Sequence, residues 1–216
     1  MRDIIPGIYE LDMTELMAKL RLVAPLVRFV QIDISDGSLV PKQSVVDFTT
    51  LRDAVASDQS LSHLGLEAHL MVANPNRYIK PLVDAGFKRL IAHVECEDPR
   101  LFLNEARYES IEAGLAIDGP TDLVQIEPFI EDIDVVLVMM AEAGASGLGI
   151  QDENIEKVRT LRSHYPQLSI EVDQGINDKT VKVVSDAGAN RFVSTSFIFT
   201  HPAAIAQSLH QVETME

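Results

Sequence analysis

The chain has 216 residues, 46% of them hydrophobic and 24% charged, which is enough apolar surface for one cored domain without covalent staples. Its 18 Lys and Arg face 33 Asp and Glu, and the resulting formal net charge of -15 excludes a broad grip on DNA or RNA backbone and disfavours an anionic membrane surface. A single cysteine, Cys96, excludes an intrachain disulfide framework and a four-cysteine zinc site.

Short apolar segments alternate with helix-like ones from one end to the other. In chain order the strand candidates are 4–9, 27–34, 65–71, 88–95, 114–118, 134–140, 168–173 and 190–195. They are brief and rich in Ile and Val, and several lack polar alternation, as strands covered on both faces do. Between them, 12–23 sets Leu16, Leu20 and Val23 on one helical face, with Asp12 as cap. A second helix starts from Ser44 and runs to 56. Asn74-Pro75 opens a third and Asp98-Pro99 a fourth, over 99–112, each with Pro at the first helical position. A short connector near 121–130 and helices over 155–165, 178–188 and 202–213 complete the series. Ala-Gly pairs at 85–86, 113–114 and 187–188 read as helix stops.

Eight βα units of roughly 25–30 residues predict a single-domain α/β fold, a (β/α)8 TIM barrel over residues 1–216. An open doubly wound sheet is the alternative. The acids in the opening MRDIIPGIYELD and the lack of an apolar run near about 18 residues lead to the expectation of a cytoplasmic protein without a membrane span.

In such a barrel, chemistry sits at the carboxyl ends of the strands. Gln31, Asp33 and Ser35 share one face of strand 2 by the period of two. Glu67 and His69 share a face of strand 3, His93 and Glu95 lie on strand 4, and Glu171 and Asp173 on strand 7. Buried carboxylates need a partner, and Asp33, His69 and Asp173 fall near the same end of their strands. Such a set suits a divalent metal, Zn²⁺ first among them, with Gln31 able to add a weaker carbonyl oxygen. The same two Asp could move a proton between the faces of one carbon. Met71, Met139 and Met140 are candidates for the pocket lining. Gly144, Gly147, Gly149, Gly175, Thr195 and Ser196 are candidates for a phosphate site in the loops after strands 6 to 8.

The stretches QIDISDGSLVP (31–41), EAHLMVANPNRYI (67–79), AHVE (92–95), IEVDQGI (170–176) and FVSTSFIF (192–199) resemble the ribulose-phosphate 3-epimerase family of (β/α)8 barrels along nearly the whole chain. The resemblance implies a divalent metal bound by a His and an Asp of strand 2, a His of strand 3 and an Asp of strand 7, with the two Asp inverting C3 of a ketopentose 5-phosphate. Asp33, His69 and Asp173 match that pattern. Gln31 stands at the first histidine, so a metal site with one histidine lost is expected. Gly7 and Glu10 take the places of two family serines, Ser35 that of a methionine, and Gln174 and Thr195 those of glycines in the phosphate region. A related decarboxylase and synthase group uses an Asp-x-Lys-x-x-Asp run that is missing here, Lys42 being expected on the loop surface. The function expected is a sugar-phosphate epimerase or isomerase of altered specificity, with a homodimer as its assembly. The alternative is a repurposed, non-catalytic barrel that binds a small metabolite or a protein.

Overall fold

The computed structural model describes residues 3–44, 47–143, 149–200 and 204–214. Eight strands, β1 (Asp3–Ile8), β2 (Phe29–Ser35), β3 (Gly65–Met71), β4 (Arg89–His93), β5 (Glu112–Ile117), β6 (Val135–Met139), β7 (Ile170–Asp173) and β8 (Arg191–Ser194), close in sequence order into one barrel. Every neighbouring pair is parallel, including β1 with β8, so no strand edge is left open. The eight predicted strands are all present, each within a few residues of its expected ends, and the open sheet is excluded.

Helices α1 (Met13–Val23), α2 (Phe48–Ser57), α3 (Asn76–Asp84), α4 (Pro99–Tyr108), α5 (Asp152–His164), α6 (Val181–Ala187), α7 (Ser196–Phe199) and α8 (Ile205–Thr214) fill the outer ring. The Asp12 carboxylate accepts from the Thr14 and Glu15 amides, and Asp98 caps α4 with Pro99 in its first turn. Elsewhere the local expectations shift. α2 is capped by Asp47, whose side chain accepts from Thr50 N, while the Ser44 hydroxyl accepts from Ser35 N at the end of β2. Pro75 sits at the N-cap of α3 and not inside it. The connector at 121–130 forms two 3-10 turns, Leu123–Gln125 and Glu127–Asp132, in place of an α-helix.

The Ala113-Gly114 pair is not a helix stop. It lies inside β5, where a Cβ on Gly114 would stand 2.6 Å from the Val135 carbonyl oxygen, so the glycine is fixed by the close approach of β6. The left-handed residue that ends α4 is Ser110, at φ 57°.

Side-chain alternation divides the molecule into two interiors. Val30, Ile32 and Ile34 face outward and pack with Leu16, Leu20 and Leu51 in the layer between barrel and helices. Within the barrel, Ile91, Ala116, Val135, Leu137 and Met139 form an apolar wall contributed by β4 to β6. The lumen also holds polar residues, which come in two tiers. Toward the amino ends of the strands, buried Arg89 pairs with buried Glu67 and also reaches Glu112 at 2.8 Å, with Glu171 nearby on β7. Two residues further along β3 and β7 stand His69 and Asp173, each on the same face as its predecessor. Burial and the charge of Glu67 hold the Glu171 carboxyl well above the usual range, while the charges of Arg89 and Arg191 oppose the shift.

Candidate metal centre and active site

The upper tier converges on one point. Asp33 and His69 are register partners on β2 and β3, and Asp173 ends β7. One ligating atom from each of these three buried side chains lies within 4.8 Å of the others. His69 Nδ1 stands 3.1 Å from Asp33 Oδ1 and 3.8 Å from Asp173 Oδ2. A tier of two carboxylates and an imidazole nitrogen is rich in acceptors and poor in positive charge, which is the donor set a divalent cation completes.

The expected loss of a histidine at Gln31 is corrected by this geometry. The cluster that can hold an ion is Asp33, His69 and Asp173, with its histidine intact, and Gln31 leaves no gap in it. The Gln31 amide donates from Nε2 to Asp33 Oδ1 at 2.8 Å and to Asp173 Oδ2 at 3.0 Å. One side chain thereby ties together acids from two strands that β8 and β1 separate in the barrel wall. Its Oε1 is buried without a partner among the described residues.

Burial raises both acids. Asp33 is pushed up to about 7, mainly by desolvation with help from the Glu67 charge, while the Gln31 bond opposes the shift. Asp173 is pushed up to about 6 by desolvation and by the charge of Asp33. Desolvation drives His69 the other way, down to about 3, so its ring is neutral. In metal-free protein the folded state thus holds protons that the unfolded chain releases near pH 4. Stability is fully present below about pH 4 and is lost as pH rises through about 6 to 7 on account of these two groups. The expected result is a melting temperature, measured in chelator, that falls across this window and loses that slope in the Asp33→Asn/Asp173→Asn double variant.

His69 continues into a chain of contacts on β4. Its Nε2 lies 2.8 Å from Nε2 of buried His93, and His93 Nδ1 lies 3.1 Å from Glu95 Oε2. Glu95 Oε1 accepts from the Asp118 amide at 3.0 Å.

Above the cluster opens a cavity of about 800 Å³, lined by Tyr9, Glu10, Lys19, Lys42, Met71, Met139, Gly149, Gln174, Gly175, Asn177, Thr180, Thr195 and Ser196 among others. Of the residues singled out from the sequence, Met71, Met139, Gly149, Gly175, Thr195 and Ser196 line this cavity. Met140 does not, since it packs in the outer layer. Gly144 and Gly147 lie outside the described residues. Gly7 does not line the cavity but backs it: a Cβ there would meet Thr195 Oγ1 at 2.5 Å. Glu10 is committed to an ion pair with Lys19.

Lys42 was expected on the loop surface, and the cavity mouth is where it stands. An antiparallel bridge between Asp36 and Gln43 folds the loop after β2 back, and Lys42 Nζ comes to rest 3.9 Å from the centre of the Tyr9 ring. The Tyr9 hydroxyl is 2.7 Å from Ser35 Oγ, which donates to the Lys42 carbonyl at 2.7 Å. Lys19, Asn177 and Thr180 also entered the lining unannounced, because nothing in their local spacing marks them.

A closed parallel barrel with an acid–imidazole cluster under a cavity, taken together with a family match over residues 3–199, marks an enzyme of the carbohydrate-phosphate epimerase and isomerase type. The model of the ribulose-phosphate 3 epimerase family matches residues 3–199, and the chain belongs to that family. It is 33% identical over 174 residues to the ribulose-phosphate 3-epimerase of Schizosaccharomyces pombe, covering 79% of this chain and 75% of the relative. It is 31% identical over 216 residues to the cytoplasmic isoform from Oryza sativa subsp. japonica, covering 96% and 92%. Among solved structures, 3-hexulose-6-phosphate synthase from Salmonella typhimurium superposes with a TM-score of 0.75 at 17% identity, over 100% of this chain and 98% of that one. The likeness to 3-keto-L-gulonate-6-phosphate decarboxylase from Vibrio cholerae has a TM-score of 0.74 at 13% identity over the full length of both, and speaks for the shared fold alone. Among the described residues no helix is long and apolar enough to cross a membrane.

Proposed function

We propose that this chain epimerises a ketose phosphate at the carbon next to its carbonyl, with Asp33 and Asp173 as the paired acid and base. The observation that carries the reading is the pair itself: two buried acids on β2 and β7, held by one amide, with affinities for protons near neutrality. As carboxylate, one Asp removes the proton on its face of the sugar, and the electrons of the broken C–H bond delocalise onto the carbonyl oxygen. As carboxylic acid, the other returns a proton to the opposite face of the same carbon. The two groups end with protonation states exchanged, and the reverse passage or solvent exchange resets them.

Asp33, His69 and Asp173 would hold a divalent ion, which would supply positive charge to offset the negative charge developing on the carbonyl oxygen. Zn²⁺ suits this mixed oxygen and nitrogen donor set. We assign Gln31 to holding the two acids, and Met71 and Met139 to the apolar wall against the sugar chain. The phosphate we assign to the turns at Gly149, Gly175 and Thr195-Ser196, which line the cavity.

The test is incorporation of solvent deuterium at C3 of ribulose 5-phosphate and, in parallel, at the corresponding carbon of other ketose phosphates, using protein loaded with Zn²⁺, Mn²⁺ or Co²⁺. Label at one carbon only, with both epimers recovered, is expected for at least one substrate. Tight binding of these compounds with no label in any of them favours the repurposed, non-catalytic barrel.

A further inference from the structure

Two lysines line the cavity among the described residues, and their charges are placed differently. Lys19 is matched by the Glu10 carboxylate, with the Phe199 ring 4.9 Å from its Nζ. Lys42, exposed at the cavity mouth, has no carboxylate partner among the described residues, and its Nζ rests on the face of the Tyr9 ring. We propose that Lys42 is a specificity-determining residue whose ammonium seats an anionic group of the substrate, with Tyr9 and Ser35 as the residues that position it. The inference rests on the ketose-phosphate reading above and names the side chain that selects for the ligand's charge.

The position of Lys42 is built from the backbone up. Ser35 N donates to Ser44 Oγ and Ser44 N to the Ser35 carbonyl, both at 3.0 Å, and the Asp36–Gln43 bridge closes the loop between them. Inside the loop Ser38 N donates to Asp36 Oδ1 at 3.0 Å, and Ser38 Oγ accepts from the Ala73 amide at 2.8 Å, just past β3. The Lys42 carbonyl accepts from Ser35 Oγ at 2.7 Å and from the Tyr9 hydroxyl at 3.3 Å. Tyr9 therefore meets Lys42 twice, by its hydroxyl at the backbone and by its face 3.9 Å from the ammonium. A lysine on an unsupported loop gives up much rotamer freedom when it takes a ligand, and here the loop, ring and hydroxyls restrict it beforehand.

The chemistry of the remaining face is that of an anion receptor. An aromatic ring attracts an ammonium but offers it no lone pair, so the N–H donors of Lys42 are left for water or a ligand. The net charge of -15 repels an anionic substrate, and the acids under the cavity add to that field. With Lys19 matched by Glu10, Lys42 is the lysine of this lining whose charge offsets it. Its charge is also felt at Asp33, so the ammonium lies within electrostatic reach of the acid that works on the substrate. Phosphate and carboxylate share the chemistry required, since both present anionic oxygens that accept from an ammonium.

The test is calorimetric binding of two compounds to full-length wild type, Lys42→Met, Lys42→Arg and Tyr9→Leu, with solvent deuterium exchange followed on the same samples. One compound is ribulose 5-phosphate. The other is 2-ketopentonate 5-phosphate, in which the terminal hydroxymethyl group is oxidised to a carboxylate. Lys42→Met keeps most of the stem and is expected to weaken at least one of them roughly 10–100-fold, as the loss of a charged hydrogen bond does. An equal loss for both assigns the ammonium to the phosphate, and a loss confined to the keto acid assigns it to the carboxylate.

For a compound that turns over, the change should fall on KM and spare kcat, because the contact is made away from the reacting carbon. The gap between wild type and Lys42→Met should narrow as salt is raised. Lys42→Arg, which keeps the charge on the same ring, should stay close to wild type. Tyr9→Leu should reproduce part of the loss and add little on top of Lys42→Met. Unchanged affinities in Lys42→Met, or a gap that salt does not alter, overturn the proposal, and continued exchange then leaves the epimerase reading standing. Wild-type protein that binds these compounds without exchange overturns the epimerase reading alone, and the affinities still decide Lys42. Wild-type protein that binds neither compound overturns both.

Discussion

Replacing Asp33 or Asp173 with Asn is expected to lower the rate at which the two epimers interconvert by roughly 10²–10⁴-fold, the range attributable to a positioned acid or base. Asn preserves the volume of the side chain and its ability to meet the Gln31 amide through its own oxygen. What it loses is the proton exchange. Either single change should be nearly as damaging as both together, because inversion requires a group on each face. The two halves of the reaction then separate the roles. The acid that faces the proton of one epimer should control label entering from that epimer, and its partner should control label entering from the other. Because both residues also belong to the metal cluster, ion content must be measured on the same samples. Loss of exchange with the ion still bound supports the acid–base assignment. Full exchange in both single variants would remove the pair from the mechanism.

A second large effect is expected far from the cavity mouth. Arg89→Met should destabilise the fold by about 3–5 kcal/mol, the usual cost of removing one partner of a buried ion pair. For a chain of this size that corresponds to a fall in melting temperature on the order of 6–20 °C. The reason is local. Glu67 is fully buried with one oxygen on the Arg89 guanidinium, and Glu171 depends on the same charge to offset its burial. Without the guanidinium, Glu67 loses the cation it is paired with and stays buried. Adding Glu67→Leu to Arg89→Met should recover much of the loss, since an apolar pair of similar size fills the space without a charge to desolvate. Denaturant titration of wild type, Arg89→Met and the double variant decides it. A stable Arg89→Met protein would show that the lower tier contributes packing alone.

The architecture was legible because burial on both faces writes a simple signature. A parallel strand between barrel lumen and helix layer reads as a short run of Ile, Val and Ala, and all eight such runs are strands. Punctuation was less legible. Gly114 looked like a helix stop because an Ala-Gly pair does not reveal whether its neighbour is open solvent or the Val135 carbonyl. Ser110 does that job after α4, with a residue type that gives no such signal.

At the site, Asp33, His69 and Asp173 stood out because charged and imidazole groups interrupt otherwise apolar strands, and a buried charge needs a partner. Gln31 was harder to read, since an amide can accept or donate. The sequence emphasised its carbonyl oxygen, while in the fold its NH₂ group meets two acids. Lys42 was missed for a different reason. Its position depends on how one loop bends across a neighbouring strand, and a bridge from Asp36 to Gln43 has no periodic signal to announce it.

The paired tier of Glu67, Arg89 and Glu171 also makes the barrel a blind well. Together with the apolar wall of β4 to β6 it fills the lumen beneath the acid cluster, so that among the described residues the floor under Asp33 and Asp173 is built of buried side chains. On the proposed chemistry, the cavity above is then the side from which substrate and solvent meet both acids, and a ligand seated there stands between the pair and bulk water.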